Sequence, residues 1–263
     1  MNILISNDDG IYANGIKALC EALSSSYDVY LIAPNQERSA AGHSITLNSP
    51  LRVEEAGSLY GTKHSWAVSG TPGDCVKIGV NAILSSEEQP DIIISGINHG
   101  PNLGHDIIYS GTVSCAIEGA MMNIPSIAVS LNSYKPEFED FTFAATFVKS
   151  LIPKLKDFKF PEKSILNINV PGIPQDEING IVVTEMGGRM FTDNYEKRID
   201  PRGKTYYWMA GKLSTEKENE NSDIYAIRQN KISISPLTFN LTRKDVLEDL
   251  NSVLCKDNLC NWF

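Results

Sequence analysis

The feature that most constrains this chain is a regular alternation of short apolar segments with amphipathic segments, which continues as far as residue 170. The apolar segments have the length of strands and are apolar at successive positions; they are 2–6, 29–33, 91–95, 125–131 and 164–170. Strands that are apolar on both faces are typical of a parallel sheet that helices cover on both sides. The predicted fold is therefore α/β, a three-layer, Rossmann-like, mostly parallel sheet with helices on both faces.

Helical segments are predicted between these strands. Residues 14–25 have apolar side chains at the i, i+3, i+4 and i+7 positions of an amphipathic helix. Thr71 and Pro72 have the residue types of an N-cap and a first helical position, which predicts a helix start there. Further helices are predicted over 112–122 and about 141–155, whereas the less regular stretch 45–69 indicates short strands or a hairpin.

The last third of the chain differs in character. Residues 186–235 are polar but contain six aromatic residues, and the Asp-Pro-Arg-Gly sequence at 200–203 predicts a type I turn between two extended arms. Residues 242–251 are predicted to form a terminal helix. We therefore expect a catalytic core over 1–185, completed by strands near 225–240, and an oligomerisation region over 186–263 that holds the β-arm extension and the terminal helix.

Composition and charge exclude several classes of function. The net charge is −9 and no basic run of five or more residues occurs, which argues against a partner such as a nucleic acid duplex. The N-terminal residues do not resemble a signal peptide, and no apolar run approaches the roughly 20 residues that span a bilayer. Scattered cysteines at 20, 75 and 115 are predicted to be small buried side chains in a reducing compartment. We expect a cytoplasmic protein with no membrane contact.

Two adjacent carboxylates, Asp8 and Asp9, directly follow the first predicted strand and lie between Asn7 and Gly10. Asn, Asp and Gly are also common turn formers, so an ordinary turn is the alternative interpretation. A divalent cation would offset the repulsion between the carboxylates and hold both ionised. Ligands of parallel α/β sheets bind beyond the carboxyl ends of the strands, which is where this pair is predicted to lie.

Two further loops offer neutral oxygen ligands at the same edge of the predicted sheet. Ser39 follows the second strand, and Asn98 lies in the Gly-rich loop after strand 91–95. Arg38 is long enough to reach a phosphate, although a pair with Glu37 is equally compatible with the sequence. The 15-residue length of the Gly-rich connection favours a functional loop over a simple one.

The start of the helix predicted over 112–122 is a candidate phosphate site. Ser110, Gly111 and Thr112 combine two hydroxyls with the free backbone N–H groups of a helix N-terminus, which together can hold a phosphate without a basic side chain. A plain N-cap is the alternative role for the serine or threonine. His43, His99 and His105 also lie in these loops, but their spacing does not favour zinc, and their roles stay open.

Taken together and in order, these motifs resemble the SurE (survival protein E) family of metal-dependent nucleotidases. The resemblance is carried by ILISNDDGIYANGI, APNQERSAAGHSIT, SGTPGDCV and SGINHGPNLGHDIIYSGTVSCAIEGAMMNIPSIAVS, with later matches at YYWMAG and SDIYAIRQNKISISPL. It implies that Asp8, Asp9, Ser39 and Asn98 bind a metal and that Asp8 and Asp9 are the catalytic residues. It implies further that Ser110, Gly111, Thr112 and Asn98 contact the phosphate or the rest of the substrate. It also implies a homodimer, or two such dimers paired as a tetramer.

The chemistry of the residues agrees with this resemblance. All four predicted ligands are oxygen donors, which favours one divalent cation per subunit, magnesium, manganese or calcium, over zinc. The predicted reaction is release of phosphate from nucleoside 5′-monophosphates, with 3′-monophosphates and short polyphosphate as further substrates, by attack of a metal-activated water. Two alternatives stay open: an aspartyl-phosphate formed on Asp8, and a nucleotide- or phosphate-sensing module that binds without turnover.

Overall fold

The structure is a computed structural model that describes residues 1–40, 42–134, 136–188, 191–192, 194–213 and 218–256. The strands are β1 Asn2–Ser6, β2 Asp28–Pro34, β3 Val53–Gly57, β4 His64–Val68, β5 Ile92–His99, β6 Ser126–Asn132, β7 Ser164–Pro171, β8 Ile181–Val183, β9 Phe191–Thr192, β10 Tyr195–Ile199, β11 Thr205–Met209, β12 Lys212–Leu213 and β13 Ile232–Thr238. The helices are α1 Asn14–Ser24, α2 Pro72–Ile78, α3 Gly111–Met121, α4 Phe138–Leu151, α5 Asp223–Arg228 and α6 Leu247–Lys256.

Nine strands of the described chain form one sheet in the order β3-β4-β2-β1-β5-β6-β7-β13-β8. Neighbours from β4 through β7 are all parallel, whereas β3 and β13 run antiparallel to β4 and β7. The predicted mostly parallel α/β sheet is thus confirmed. In this sheet β2, β3 and β4 lie on one side of β1, whereas β5 and all later strands of the sheet lie on the other side. The edge between β1 and β5 is therefore the topological switch point, where such sheets bind their ligands.

Helices cover both faces of this sheet, as the sequence predicts. On one face, Ile3 and Ile5 of β1 pack in a buried cluster with α1 and α4. On the other face, Leu4 belongs to a cluster with Cys75 of α2 and Cys115 of α3. Adjacent residues of one strand enter opposite cores because side chains alternate across a strand, which explains why β1 is apolar at the three successive positions 3–5. Cys20, Cys75 and Cys115 are buried free thiols, as predicted.

β5 is longer than the sequence predicts. The prediction ended the strand at residue 95 and placed Asn98 in a loop, but the strand continues to His99 through a bulge between Ser95 and Asn98. Gly96 permits this bulge: its φ is +132°, and a Cβ there would lie 2.3 Å from the carbonyl oxygen of Val129. Because of the bulge, Asn98 lies at the switch point as part of a strand and not as part of a loop.

Two predictions for the C-terminal third need correction. The terminal helix begins at Leu247, not at residue 242, because the side chains of Thr238 and Asn240 bond backbone N–H groups two residues ahead and favour turns there. Within 225–240, where strands were predicted, the structure has the end of α5 and the single strand β13. The hydroxyl of Ser222 accepts a hydrogen bond from the backbone N–H of Tyr225 and caps α5.

In the region where two extended arms were predicted, β10 and β11 form an antiparallel hairpin, with Tyr195 opposite Met209 and Ile199 opposite Thr205. Its turn is closed by a hydrogen bond from the N–H of Gly203 to the carbonyl of Asp200, at 3.0 Å. The predicted hairpin within 45–69 is also present, as β3 and β4. The polar stretch 214–222 also predicts a solvated loop, and its residues 214–217 lie outside the described residues. No helix of the described chain has the length and apolar character needed to cross a membrane.

Candidate active site at the carboxyl end of the sheet

The structure brings the segment of Asp8 and Asp9, after β1, together with the segment of Asn98, at the end of β5, at the switch point. β1 and β5 are adjacent parallel strands, and the last residue of β1, Ser6, pairs with Ser95 of β5. The chain continues from β1 into Asp8 and Asp9, and the backbone N–H of His99 donates a hydrogen bond to Asp9 Oδ2 at 3.1 Å. Residues 90 positions apart in sequence therefore meet at one edge of the sheet.

The turn after β1 is closed by Asn7 and Gly10 rather than by the two aspartates. Asn7 Oδ1 accepts from the N–H of Gly10 at 3.1 Å, and Asn7 Nδ2 donates to the carbonyl of Gly10 at 3.0 Å. Gly10 has a φ of +101°, which residues with a side chain rarely adopt. The carboxylates of Asp8 and Asp9 are thus not needed to form the turn, which weakens the alternative that they are only turn formers.

Asp8 lies against the first turn of α3 and is 5% exposed. The hydroxyl of Thr112 donates to Asp8 Oδ1, and the backbone N–H groups of Gly111 and Thr112 also face the carboxylate. A Cβ on Gly111 would lie 2.7 Å from Asp8 Oδ2, so only glycine permits this approach. Burial raises the pKa of Asp8, and these hydrogen bonds act against the rise. The helix N-terminus predicted for phosphate therefore also contacts the first predicted metal ligand.

Asp9 is the second carboxylate of the pair. Burial and the neighbouring charge of Asp8 raise the pKa of Asp9 to about 7, although the hydrogen bond from the N–H of His99 lowers it. Within the described part of the chain, no lysine or arginine forms an ion pair with either aspartate. Two adjacent carboxylates, one buried and one partly buried, without a cationic partner fit the oxygen-donor site that a divalent cation requires.

Asn98 and Ser39 differ in how available their side-chain oxygens are to a cation bound by Asp8 and Asp9. Asn98 lies next to His99 at the end of β5, and its Nδ2 donates to the carbonyl of Gly100 at 2.8 Å, which leaves its amide oxygen to coordinate. The hydroxyl of Ser39 instead donates to Glu37 Oε1 at 2.6 Å. The Ser39 loop nevertheless reaches the site, because the backbone N–H of Arg38 donates to the carbonyl of Asp8 at 2.7 Å.

Ser110 and Thr112 have different roles in the structure. Ser110 is the N-cap of α3, and its hydroxyl accepts from the N–H of Val113 at 3.1 Å. Thr112 is not a cap, since its hydroxyl donates to Asp8. The N-cap alternative therefore holds for Ser110 only, and the sequence alone did not separate the two hydroxyls.

Glu118, on α3, is a residue of the site region that the sequence reasoning missed. Its carboxylate is buried and contacts His43 Nε2 at 2.8 Å and Lys77 Nζ at 3.1 Å, which ties the Ser39 loop to α3 and α2. Burial alone would raise the pKa of Glu118, but hydrogen bonds from His43 and Lys77 bring it below its usual value. A sequence signal existed: Glu118 is the one charged residue between positions 111 and 121.

The Ser39 loop is also hydrogen-bonded to two residues at the start of α2, Asp74 and Thr71. Asp74 accepts from the backbone N–H of Thr46 at 3.0 Å and from its hydroxyl at 2.6 Å, and Thr71 donates to the carbonyl of Ser44 at 2.7 Å. Asp74 and Thr71 also form the predicted capping box. His99 and His105, whose roles the sequence left open, contribute backbone N–H groups to hydrogen bonds, to Asp9 and to Gly188.

A cluster of three or more His, Cys, Asp or Glu side chains arranged for a metal does not occur among the described residues. The predicted ligand set is of another kind, since it has only two carboxylates and takes its other donors from a serine and an asparagine. The site therefore has to be judged by its oxygen donors and by its uncompensated negative charge.

Comparison with known proteins bears on what this site does. The family model for Survival protein SurE matches residues 3–193. The 5′-nucleotidase SurE of Thermosynechococcus vestitus is 46% identical over 260 residues, which are 97% of this chain and 97% of that protein. The 5′-nucleotidase SurE of Pelotomaculum thermopropionicum is 46% identical over 263 residues, 99% of this chain and 98% of the relative.

Structural comparison agrees with the sequence comparison. The crystal structure of the SurE protein from Aquifex aeolicus superposes with a TM-score of 0.84 at 38% identity. The match covers 96% of this chain and 99% of the Aquifex chain. The similarity therefore extends over both the sheet and the C-terminal third.

Proposed function

The chain belongs to the SurE family, and from that premise we propose that it is a nucleotidase that releases phosphate from nucleoside 5′-monophosphates. The family resemblance predicted from the motifs is confirmed. The observation that carries the proposal is the pair of adjacent carboxylates at the switch point, which has no cationic partner in the described chain: Asp8 is buried against the first turn of α3, and Asp9 is partly buried.

We propose that Asp8, Asp9, Asn98 and Ser39 hold one divalent cation, magnesium or manganese, with calcium as a further candidate. When bound, such a cation lowers the pKa of water and stabilises negative charge on a phosphoryl group. The donor set supports the assignment because carboxylate, amide and hydroxyl oxygens are the ligands that hard cations prefer. Ser39 requires the larger adjustment, since its hydroxyl has to exchange its hydrogen bond to Glu37 for the cation.

The residues of α3 are proposed to hold the phosphate. The backbone N–H groups of Gly111 and Thr112 and the Thr112 hydroxyl already act as donors to a carboxylate, Asp8, so the first turn is suited to an anion. Ser110 keeps this turn in place as its N-cap. A helix N-terminus supplies partial positive charge that the chain as a whole, at −9, does not.

We assign to Asp9 the role of accepting a proton from the attacking water. Both oxygens of Asp8 lie against α3, whereas Asp9 has one hydrogen bond, from the backbone N–H of His99. Asp9 is therefore the more available proton acceptor of the pair. The same geometry disfavours an aspartyl-phosphate on Asp8, because a nucleophile has to approach the phosphorus and this carboxylate is held against a helix.

Assembly is proposed to involve the β10–β11 hairpin. Large side chains of both strands are exposed, including those of Tyr207, Trp208 and Met209. Contiguous exposed apolar surface of this kind marks an interaction site on a soluble protein. Exchange of the hairpin between two copies would form a homodimer, and two dimers could pair as a tetramer.

Phosphate release from a panel of substrates tests the proposed function. The panel is 5′-AMP, 5′-GMP, 5′-CMP, 5′-UMP, 3′-AMP and tripolyphosphate, each with EDTA and then with excess magnesium, manganese or calcium. We expect release from the 5′-monophosphates, loss of release in EDTA and recovery with magnesium or manganese. Tight binding of a nucleotide without any release would instead favour the sensing module, and undiminished release in EDTA would contradict the metal site.

A further inference from the structure

The segment 99–109, which we call the site loop, connects two groups of proposed site residues. It begins directly after Asn98 and ends directly before Ser110. At its start, the N–H of His99 bonds Asp9, and at its end the carbonyl of Tyr109 accepts from Gly42 of the Ser39 loop at 3.1 Å. A shift of the site loop would therefore displace residues on both the cation side and the phosphate side.

Asp223, at the start of α5, holds the middle of the site loop. Its side chain is fully buried, and its Oδ2 accepts from the backbone N–H of Gly104 at 2.9 Å. Its Oδ1 accepts from the N–H of Gly187 at 2.9 Å and from that of Ile224 at 2.8 Å. One carboxylate thus joins three backbone segments, and each of its oxygens bonds a different one.

The contacts around Asp223 are close-packed. The N–H of His105 donates to the carbonyl of Gly188 at 3.0 Å, and a Cβ on Gly104 would lie 2.1 Å from that same carbonyl oxygen. Leu103 is completely buried in a small cluster with Ile224 and Ile227 of α5. The site loop is therefore clamped between residues 187–188 and α5, not merely touched by one side chain.

These two clamping segments flank the β10–β11 hairpin in sequence, with Gly188 before it and Asp223 after it. We propose that Asp223 is a positioning residue of the site: its carboxylate fixes the site loop to Gly187 and to the start of α5 and so sets the placement of Asn98 and Ser110. The inference rests on the proposed function for its chemistry, and it extends the site beyond residue 193, where the family-model match ends.

A carboxylate is required at this position because two donor groups approach it from different segments. Asparagine would keep one accepting oxygen, but its NH₂ group would face a backbone N–H and repel it. Asp223→Asn therefore breaks one of the two connections with little change in size. Gly187→Ala disturbs the same clamp from the other side, because the added Cβ would lie 2.9 Å from Asp223 Oδ1.

Asp200→Asn is the matched control. Asp200 Oδ1 also accepts from two backbone N–H groups, those of Arg202 at 2.9 Å and Lys204 at 2.8 Å, but it does so in the turn of the hairpin. Wild type and the three variants would be compared in kcat and KM for 5′-AMP, in Mn²⁺ affinity by electron paramagnetic resonance, in hydrogen exchange of residues 99–110 and in thermal melting.

We expect Asp223→Asn to lower kcat by about 10–100-fold, with a smaller change in KM, since small displacements of catalytic groups cost this much. Mn²⁺ affinity should fall, and exchange at Gly104 and His105 should accelerate and spread toward residues 99 and 110. Gly187→Ala should give the same pattern more weakly and remain informative if Asp223→Asn does not fold. Asp200→Asn should match the wild type in all of these measurements.

Wild-type kcat and Mn²⁺ affinity in folded Asp223→Asn or Gly187→Ala protein would overturn the inference, as would a loss of activity that only follows the unfolded fraction. If the wild type releases no phosphate from any substrate, the proposed function fails by itself. Mn²⁺ affinity and hydrogen exchange then still decide whether Asp223 positions the loop.

Discussion

The site edge of the sheet and the β10–β11 hairpin have opposite distributions of polar and apolar residues. At the site edge, polar side chains such as Asp8 and Thr112 are buried and bond each other within one chain. In the hairpin, Tyr207 and Trp208 are 60% and 59% exposed, and in the described chain each arm has only the other arm as its strand partner. Both regions depart from the usual rule of polar outside and apolar inside.

The two departures indicate different kinds of partner. A buried carboxylate, Asp8, beside a partly buried one, Asp9, lacks charge compensation until a cation binds, so the site edge indicates a small ligand. Exposed aromatic side chains on a hairpin are incomplete until apolar surface covers them, so the hairpin points to a second protein surface. Asp223 bonds the site loop and Gly187, a residue that precedes the hairpin in sequence.

The largest expected effect would come from removing a charge at the site edge. Asp8→Asn and Asp9→Asn should each lower kcat by at least about 100-fold, because losing even an indirect partner of a metal costs about 10–100-fold. Thermal melting should change little, since neither side chain closes the turn after β1. Asp28→Asn is the control, because this exposed carboxylate pairs with Lys63 at the opposite end of the sheet. Wild-type turnover in either site variant would refute the assignment of the carboxylates.

The hairpin should show its effect in assembly rather than in chemistry. Light scattering of the intact chain at micromolar concentration should give twice the chain mass of 29.0 kDa or a higher multiple. The double variant Tyr207→Ser, Trp208→Ser should shift the mass toward that of one chain, and because both side chains are exposed, its thermal melting should change little. A mass near that of one chain for the intact protein would remove the hairpin-exchanged dimer.

Variants of Thr112 and Ser110 distinguish a hydrogen bond to Asp8 from a helix cap within the first turn of α3. Thr112→Val removes the hydroxyl that donates to Asp8 and should lower kcat roughly tenfold with little change in melting, which corresponds to about 1.4 kcal/mol. Ser110→Ala removes the N-cap and should lower the free energy of unfolding by about 0.5–2 kcal/mol. If Thr112→Val alters only the melting temperature, its hydroxyl is structural.

A pH titration of stability compares a buried ion pair with an exposed one. The pKa of Glu118 lies below its ordinary value of 4.5, despite burial, because His43 and Lys77 bond the ionised carboxylate. A lowered carboxyl pKa adds stability above the unfolded value, and this stability is lost as pH falls through the folded value. Urea unfolding between pH 6 and 3 should therefore show a smaller acid loss for Glu118→Gln than for the wild type.

Glu196→Gln in the hairpin is the matched control for that titration. Glu196 pairs with Arg198 at 2.9 Å, but both side chains are about half exposed, and such surface pairs contribute at most about 1 kcal/mol. The acid dependence of this variant should match that of the wild type. Equal effects of the two substitutions would show that burial of Glu118 adds nothing to its ion pairs.

Local pattern was sufficient for most of the fold. Continuous apolar runs predicted the parallel strands, and helical spacing predicted α1 and α4, because both signals depend on residues a few positions apart. The errors occurred where side chains redirect the backbone. The bulge at Gly96 extended β5 to His99, and turn-forming bonds from Thr238 and Asn240 delayed α6. Neither the bulge nor the turn-forming hydrogen bonds change the spacing of apolar residues, so the apolar pattern could not predict them.

The sequence by itself determined which loops meet. Parallel strands place their carboxyl ends at one edge, so the order of strands and loops along the chain predicts that Asp8, Asp9 and Asn98 lie there. Only the tertiary structure decided that Thr112 rather than Ser110 contacts Asp8, and that Asp223 holds the site loop. The residues in these contacts are 104 and 119 positions apart, and such pairs are chosen by how helices pack on the sheet, which no local period encodes.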